Sequence, residues 1–211
     1  MPKPPPPARE PSFDAVLCDL DGVIRFYDMT EVTRLEEAAG LPPGSTAAIG
    51  YAPENDLPLL LGQITRSQWA QSIVRGLAPR VPLPHARALA RAFSRADFRA
   101  DAQVVDLLRR ARRRCPLVLV TNAPPWLDND LASLGLADLA DGVINSSRVG
   151  IAKPDRRIYE IAAHRAGART DRCLFVDDRP ENIEAAVALG MTGVHFRGAG
   201  DLRTALAPLL G

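Results

Sequence analysis

The chain has 211 residues, with 26 Lys and Arg against 25 Asp and Glu and 46% hydrophobic residues. That length suits one domain with a modest insertion, and the composition excludes a disordered chain. A formal net charge of +1 gives no electrostatic ground for a nucleic-acid or anionic-membrane partner, and the apolar runs are far too short to span a bilayer.

Residues 1–12, which contain PKPPPP, are expected to form an extended flexible arm and lack the apolar stretch of a secretory signal. Cys18, Cys115 and Cys173 are odd in number and form no CxxC pair. They argue against a disulfide framework or a zinc site and for a reducing, cytoplasmic setting. Residues 13–18 (FDAVLC) read as a buried strand that ends at Asp19-Leu20-Asp21-Gly22. Residues 26–100 carry helical stretches broken by Pro42, Pro43, Gly44, Pro58, Pro79, Pro82 and Pro84, and are expected to form a small helical insertion.

From there strands and helices alternate. A helix is predicted over 101–114, with Val104, Leu107, Leu108 and Ala111 on one face. A strand over 117–120 ends at Thr121-Asn122, and a short helix over 128–134 is closed by Gly135. Next come a strand over 142–145 and a helix over 154–166, with Pro154 in its first turn and Gly167 at its end. A strand over 173–176 ends at Asp177-Asp178, a helix over 181–189 ends at Gly190, and a strand over 193–196 precedes a last helix capped by Asp201. This alternation predicts an α/β fold with a doubly wound parallel sheet, built from residues 13–25 and 101–211.

In such sheets ligands bind beyond the carboxyl ends of the strands. Asp19, Asp21, Thr121, Asn122, Lys153, Asp177 and Asp178 all fall there. Four carboxylates on one edge repel one another unless a cation neutralises them, and an oxygen-rich set favours Mg²⁺. A cation, an ammonium and a hydroxyl together suit a phosphoryl group, and a carboxylate beside them can attack phosphorus. A second carboxylate two residues on, as Asp21 is from Asp19, can protonate the leaving oxygen and later deprotonate water. Lys153 and Lys3 are the only lysines among the 26 basic residues, so an ammonium kept inside an otherwise Arg-only chain marks a position that guanidinium does not fill.

The segments DLDGVI (19–24), VTN (120–122), AKPD (152–155) and VDDRPEN (176–182) resemble, in order, the four motifs of the haloacid dehalogenase-like hydrolases. The resemblance runs from about residue 13 to the C-terminus and is weakest over 26–100. It implies a Rossmann-like core with a helical cap inserted between the first two motifs. It also implies a Mg²⁺-dependent phosphatase that hydrolyses a small phosphomonoester, a sugar phosphate as first guess, through an aspartyl-phosphate intermediate. On this resemblance Asp19 is the nucleophile and Asp21 the general acid/base. Thr121 and Asn122 hold phosphoryl oxygens, and Lys153 neutralises nucleophile and phosphate. Asp19, the Asp21 backbone carbonyl, Asp177 and Asp178 surround the metal, with Asp177 either touching it or one layer behind. Phosphomutase, dehalogenase and non-catalytic phosphate-sensing readings share the fold. The chain continues with RFYD after DLDGVI, where the family commonly has an acidic residue and a serine, so the entry into the cap differs.

The Arg run over 109–114 sits at a helix C-terminus and reads as a solvated face. His85, His164 and His195 have no metal-ligand spacing. Trp126, and Gln63, Arg66 and Trp69 in the insertion, read as packing residues ahead of substrate contacts.

Overall fold

The computed structural model describes residues 13–210; the arm expected over 1–12 lies outside them. Strand β1 (Ala15–Cys18) is followed by β2 (Arg25–Tyr27) and five helices, α1 (Thr30–Ala38), α2 (Ser45–Gly50), α3 (Pro53–Leu60), α4 (Arg66–Leu77) and α5 (Leu83–Ser94). The chain returns through β3 (Phe98–Ala100) to α6 (Ala102–Arg112), β4 (Leu117–Thr121), α7 (Leu127–Ser133), β5 (Gly142–Asn145) and the single turn α8 (Ser146–Val149). It ends with α9 (Arg156–Ala166), β6 (Cys173–Asp177), α10 (Pro180–Val187), β7 (Thr192–His195) and α11 (Ala199–Leu210).

Five strands form one parallel sheet in the order β5-β4-β1-β6-β7. β1 (AVLC), β4 (LVLVT) and β6 (CLFVD) are buried along their whole length, as strands covered by helices on both faces must be. One face packs on α6, α7 and α11 through Val104, Leu108, Leu131, Leu202 and Leu206. The other packs on α9 and α10 through Ile158, Tyr159, Ala162 and Ala186. The apolar stripe expected for α6 is the buried one, and each such side chain contributes about 1.5–3 kcal/mol of transfer free energy. Asp101 caps α6 by accepting from the backbone N–H groups of Gln103 and Val104.

Three expectations need correction. The helical reading of 26–100 holds for 30–94 only, because β2 and β3 pair as an antiparallel ribbon, Arg25 with Ala100 and Tyr27 with Phe98. This ribbon carries the chain out of the core and back, and β2 crosses the boundary expected after residue 25. Pro154 is not in the first turn of α9: Asp155 is its cap, accepting from the Arg157 N–H at 2.9 Å, and the Lys153–Pro154 peptide is cis. Asp201 lies inside α11, where it accepts from the backbone and side chain of Arg197.

Helices α1–α5 close over their own apolar cluster, centred on Trp69, Ile73, Leu77, Leu89 and Phe93. Glu36 is buried there, yet both its oxygens accept backbone N–H bonds, from Gly44 and Thr46, at the start of α2. Where α3 ends, Ser146 donates to the Leu60 carbonyl at 2.6 Å and accepts from the Ala123 N–H, joining the insertion to the core. Cys18, Cys115 and Cys173 are free thiols, and no helix among the described residues is long and apolar enough to cross a membrane.

Candidate active site

The strand order changes direction at β1, since the chain fills β4 and β5 on one side and β6 and β7 on the other. Doubly wound sheets open a crevice at that point. Thr121 and Asp177 are the last residues of β4 and β6, and Asp19 follows β1 directly.

Lys153 is the hub. Its Nζ lies 2.7 Å from Asp19 Oδ1 and 2.7 Å from Asp177 Oδ2, and all three side chains are buried. Burial works against the ammonium, but the two carboxylates outweigh it and hold Lys153 above its usual pKa. Burial pushes the Asp19 carboxyl up, Lys153 pulls it down, and Asp177 and Asp21 add repulsion. Oδ1 of Asp19 is committed to Lys153 and to the Leu20 N–H, whereas Oδ2 has no hydrogen-bond donor among the described residues.

Asp177 is saturated. Its Oδ1 accepts from the Arg179 N–H and from Asn182 Nδ2, and its Oδ2 accepts from Asn182 and Lys153. Asp178 is half-buried and raised in pKa by burial and by Asp177. It touches the turn after β1: a Cβ on Gly22 would lie 2.6 Å from Asp178 Cγ, and Gly22 has φ +78°. The backbone there closes on Asp178 because residue 22 has no side chain.

Asp19, Asp177 and Asp178 each bring an oxygen within 4.8 Å of the others. Three carboxylates and one ammonium leave a formal charge of −2, and an all-oxygen donor set of that charge suits a hard divalent cation such as Mg²⁺. A second feature also awaits a ligand. Thr121 Oγ1 is fully buried and, with Thr46 Oγ1, is one of two buried side-chain polar atoms without a hydrogen-bond partner among the described residues. An orphaned hydroxyl at the end of β4 is expensive unless something polar arrives.

The remaining expected residues are present but differently employed. The Asn122 amide is spent on the Lys153 backbone: Nδ2 donates to the carbonyl at 2.9 Å and Oδ1 accepts from the N–H at 2.8 Å. Its side chain thus fixes the lysine instead of standing ready for phosphoryl oxygens. The Asp21 carboxylate is gripped bidentately by Arg25, Nε to Oδ1 at 2.6 Å and Nη2 to Oδ2 at 2.9 Å. Arg25 is fully buried, donates also to Asp130 of α7 at 2.8 Å, and lies over the rings of Tyr27 and Phe98. Arg25, Asp130 and Asn182 were absent from the expected site. Asn182 was visible in the VDDRPEN motif, five residues after Asp177, and Arg25 four residues after Asp21.

Above these residues a cavity of about 780 Å³ opens between the core and α3–α5, with Asp19, Asp21, Lys153 and Asp178 at its floor. Arg66, Trp69 and Trp126 line it; Trp69 and Trp126 also pack in or against the apolar cluster of the insertion, so the two tryptophans serve both roles, and Gln63 is not part of the lining.

The profile of the haloacid dehalogenase-like hydrolases matches residues 13–190. Phosphatase MT3486 of Mycobacterium tuberculosis is 28% identical over 212 residues, covering 91% of each chain. The sesquiterpene phosphatase astK of Aspergillus oryzae is 35% identical over 101 residues, 47% of this chain and 52% of that protein, so the matched stretch spans about half its length. A haloacid dehalogenase family enzyme from Bacteroides thetaiotaomicron, solved with magnesium and inorganic phosphate, superimposes with a TM-score of 0.64 at 19% identity, covering 86% of this chain and 92% of the other. The L-2-haloacid dehalogenase of Xanthobacter autotrophicus gives 0.60 at 18% identity, covering 86% and 76%. These two share the fold. With a profile match that runs from β1 past α10, the chain belongs to the haloacid dehalogenase-like hydrolases.

Proposed function

We propose that the protein is a Mg²⁺-dependent phosphatase acting on a small phosphomonoester through an aspartyl-phosphate intermediate. The observation that carries this reading is the Lys153 hub: one buried ammonium bridges Asp19 and Asp177 beside Asp178, at a strand edge where the Thr121 hydroxyl has no partner among the described residues. The family, and the near full-length match to a phosphatase, support it. Asp19 and Asp178, with the Asp21 backbone carbonyl, would hold Mg²⁺; Asp177 acts one layer behind, holding Lys153. When bound, the ion supplies Lewis-acid polarisation of the phosphoryl oxygens.

Asp19 Oδ2 attacks phosphorus as the bond to the ester oxygen breaks, and Asp21 gives its proton to the departing alkoxide. Arg25 occupies one lone pair on each Asp21 oxygen, so Asp21 is aimed while a further lone pair on each remains for the proton. Water then attacks phosphorus, Asp21 takes its proton, and the bond to Asp19 Oδ2 breaks to release inorganic phosphate. Lys153 and the Thr121 hydroxyl bind the phosphoryl oxygens, and Asn122 holds the Lys153 backbone. Residues 26–100 act as a cap that keeps bulk water from the intermediate.

The test is release of p-nitrophenol from p-nitrophenyl phosphate by the purified chain with Mg²⁺ and with a chelator. Turnover that needs the metal and disappears in Asp19→Asn is expected. Equal turnover in Asp19→Asn would overturn the reading.

A further inference from the structure

The floor of the cavity is charged, and its walls combine aromatic rings with polar side chains, among them Asp56, Arg66, Arg95 and Asp97. The whole chain has two Trp, three Tyr and six Phe. Both Trp, two of the Tyr and two of the Phe line this one cavity, as Tyr27, Tyr51, Trp69, Phe93, Phe98 and Trp126. Five of them touch in two groups: Tyr51 meets Phe93 edge-on at 5.2 Å and Phe93 meets Trp69 at 5.6 Å, while Tyr27 meets Phe98 at 5.7 Å. Tyr51 and Tyr27 remain 53% and 37% exposed although they are among the largest apolar side chains in the chain. Exposed rings gathered inside a cavity, instead of scattered over a surface, form a binding wall.

Several of the charged groups near these rings already have partners. The Arg66 guanidinium lies over the Trp126 ring at 4.1 Å, and Arg179 is paired with Glu181. Arg25 covers Tyr27 and Phe98 while fully buried and bound to Asp21 and Asp130. Asp56 of α3, and Arg95 and Asp97 just after α5, also lie on the wall. An apolar body leaves water with gain, at about fourfold in affinity for each methylene buried.

We infer that the substrate is a phosphomonoester whose alcohol carries a bulky apolar body, hydrocarbon or aromatic, which lies against the Tyr27–Tyr51–Trp126 wall while its phosphate reaches Lys153. This deepens the phosphatase reading and rests on it. It replaces the sugar phosphate first expected from the sequence. A volume of about 780 Å³ accommodates a body of ten or more carbon atoms as well as the phosphate.

The experiment compares kcat/KM for phosphate release by the full chain with Mg²⁺ on geranyl monophosphate, 1-naphthyl phosphate, glucose 6-phosphate and 2-phosphoglycolate. The expected result is a preference of about 100-fold or more for at least one ten-carbon ester over both polar esters, carried mainly by KM. The two ten-carbon arms tell a flexible hydrocarbon from a flat ring. Tyr51→Ser and Trp126→Ser are expected to narrow that preference about tenfold or more. Tyr51 is exposed enough that its replacement leaves the fold intact, so a change in the ratio reports on the wall. Phosphate released from all four esters at similar kcat/KM, or fastest from glucose 6-phosphate, would overturn this inference and leave the phosphatase reading standing. Release from none of them would overturn both.

Discussion

Replacing Gly22 with Ala tests whether the turn after β1 and the Asp178 carboxylate form one unit. Two separate costs follow from the coordinates. With φ at +78°, any side chain carries a left-handed penalty of about 1–2 kcal/mol. The new Cβ would also lie 2.6 Å from Asp178 Cγ, where ordinary contacts begin at 3.4 Å, so Asp178 must retreat by roughly 1 Å. Asp178 belongs to the oxygen cluster with Asp19 and Asp177, and a shift of that size in one ligand lowers metal affinity about 10- to 100-fold, about 1.4–2.7 kcal/mol. Gly44 is the internal control, because it has φ +85° and nothing within 4 Å of an added Cβ. Urea denaturation should show Gly44→Ala destabilised by about 1–2 kcal/mol and Gly22→Ala by at least as much, and Mg²⁺ titration by calorimetry should separate them. Gly44→Ala should bind Mg²⁺ like the parent, and Gly22→Ala much more weakly. Parent-like Mg²⁺ affinity in Gly22→Ala would refute the coupling of the turn to Asp178.

Thr121→Val removes a buried hydroxyl that lacks a partner among the described residues, so without phosphate the variant should be as stable as the parent or up to about 1 kcal/mol more stable in urea. It should nevertheless bind inorganic phosphate about tenfold more weakly as a competitive inhibitor. Arg25→Met leaves Asp21 and Asp130 facing each other without their shared cation, and should cost about 3–5 kcal/mol, read as a fall in Tm of about 6–20 °C. Arg25→Lys should recover part of that loss. Asp56 has its carboxyl pushed up to about 6 by burial, with Arg179 opposing. Because the folded state holds this proton more tightly than the unfolded chain, its contribution to stability is full below about pH 3.8 and declines as pH rises through about 6. Asp56→Asn should therefore stabilise the protein by about 1 kcal/mol above pH 6, after allowance for the solvent-facing side of the group, and the gain should vanish near pH 4 in paired urea titrations.

The core was legible because its signals are local. The runs AVLC, LVLVT and CLFVD are apolar along their length, and helical periodicity between them admits only a covered parallel sheet. That topology puts Asp19, Thr121 and Asp177 on one edge whatever their side chains then do. What remained hidden depends on contacts between distant segments. The ribbon pairs RFY with FRA across the whole insertion, and three-residue strands carry no periodicity to read. Arg25 resembles a surface residue until the ribbon folds it beneath Tyr27 and Phe98. Asn122 occupies its expected place, but only the path of the 150–153 loop decides that its amide faces the Lys153 backbone. Trp69 and Trp126 lie 57 residues apart and become cavity walls only when α3–α5 close over the sheet edge.

The central claim is that Asp19 forms a covalent bond to phosphorus, and it can be tested by trapping. The protein is mixed with an excess of p-nitrophenyl phosphate and Mg²⁺, quenched in acid during turnover, and reduced with borohydride, which converts an acyl phosphate of aspartate to homoserine. Peptide mass spectrometry is expected to find homoserine at position 19 and unmodified aspartate at positions 21, 177 and 178. Homoserine at any of those three, or none at position 19 while phosphate is released steadily, would contradict the account.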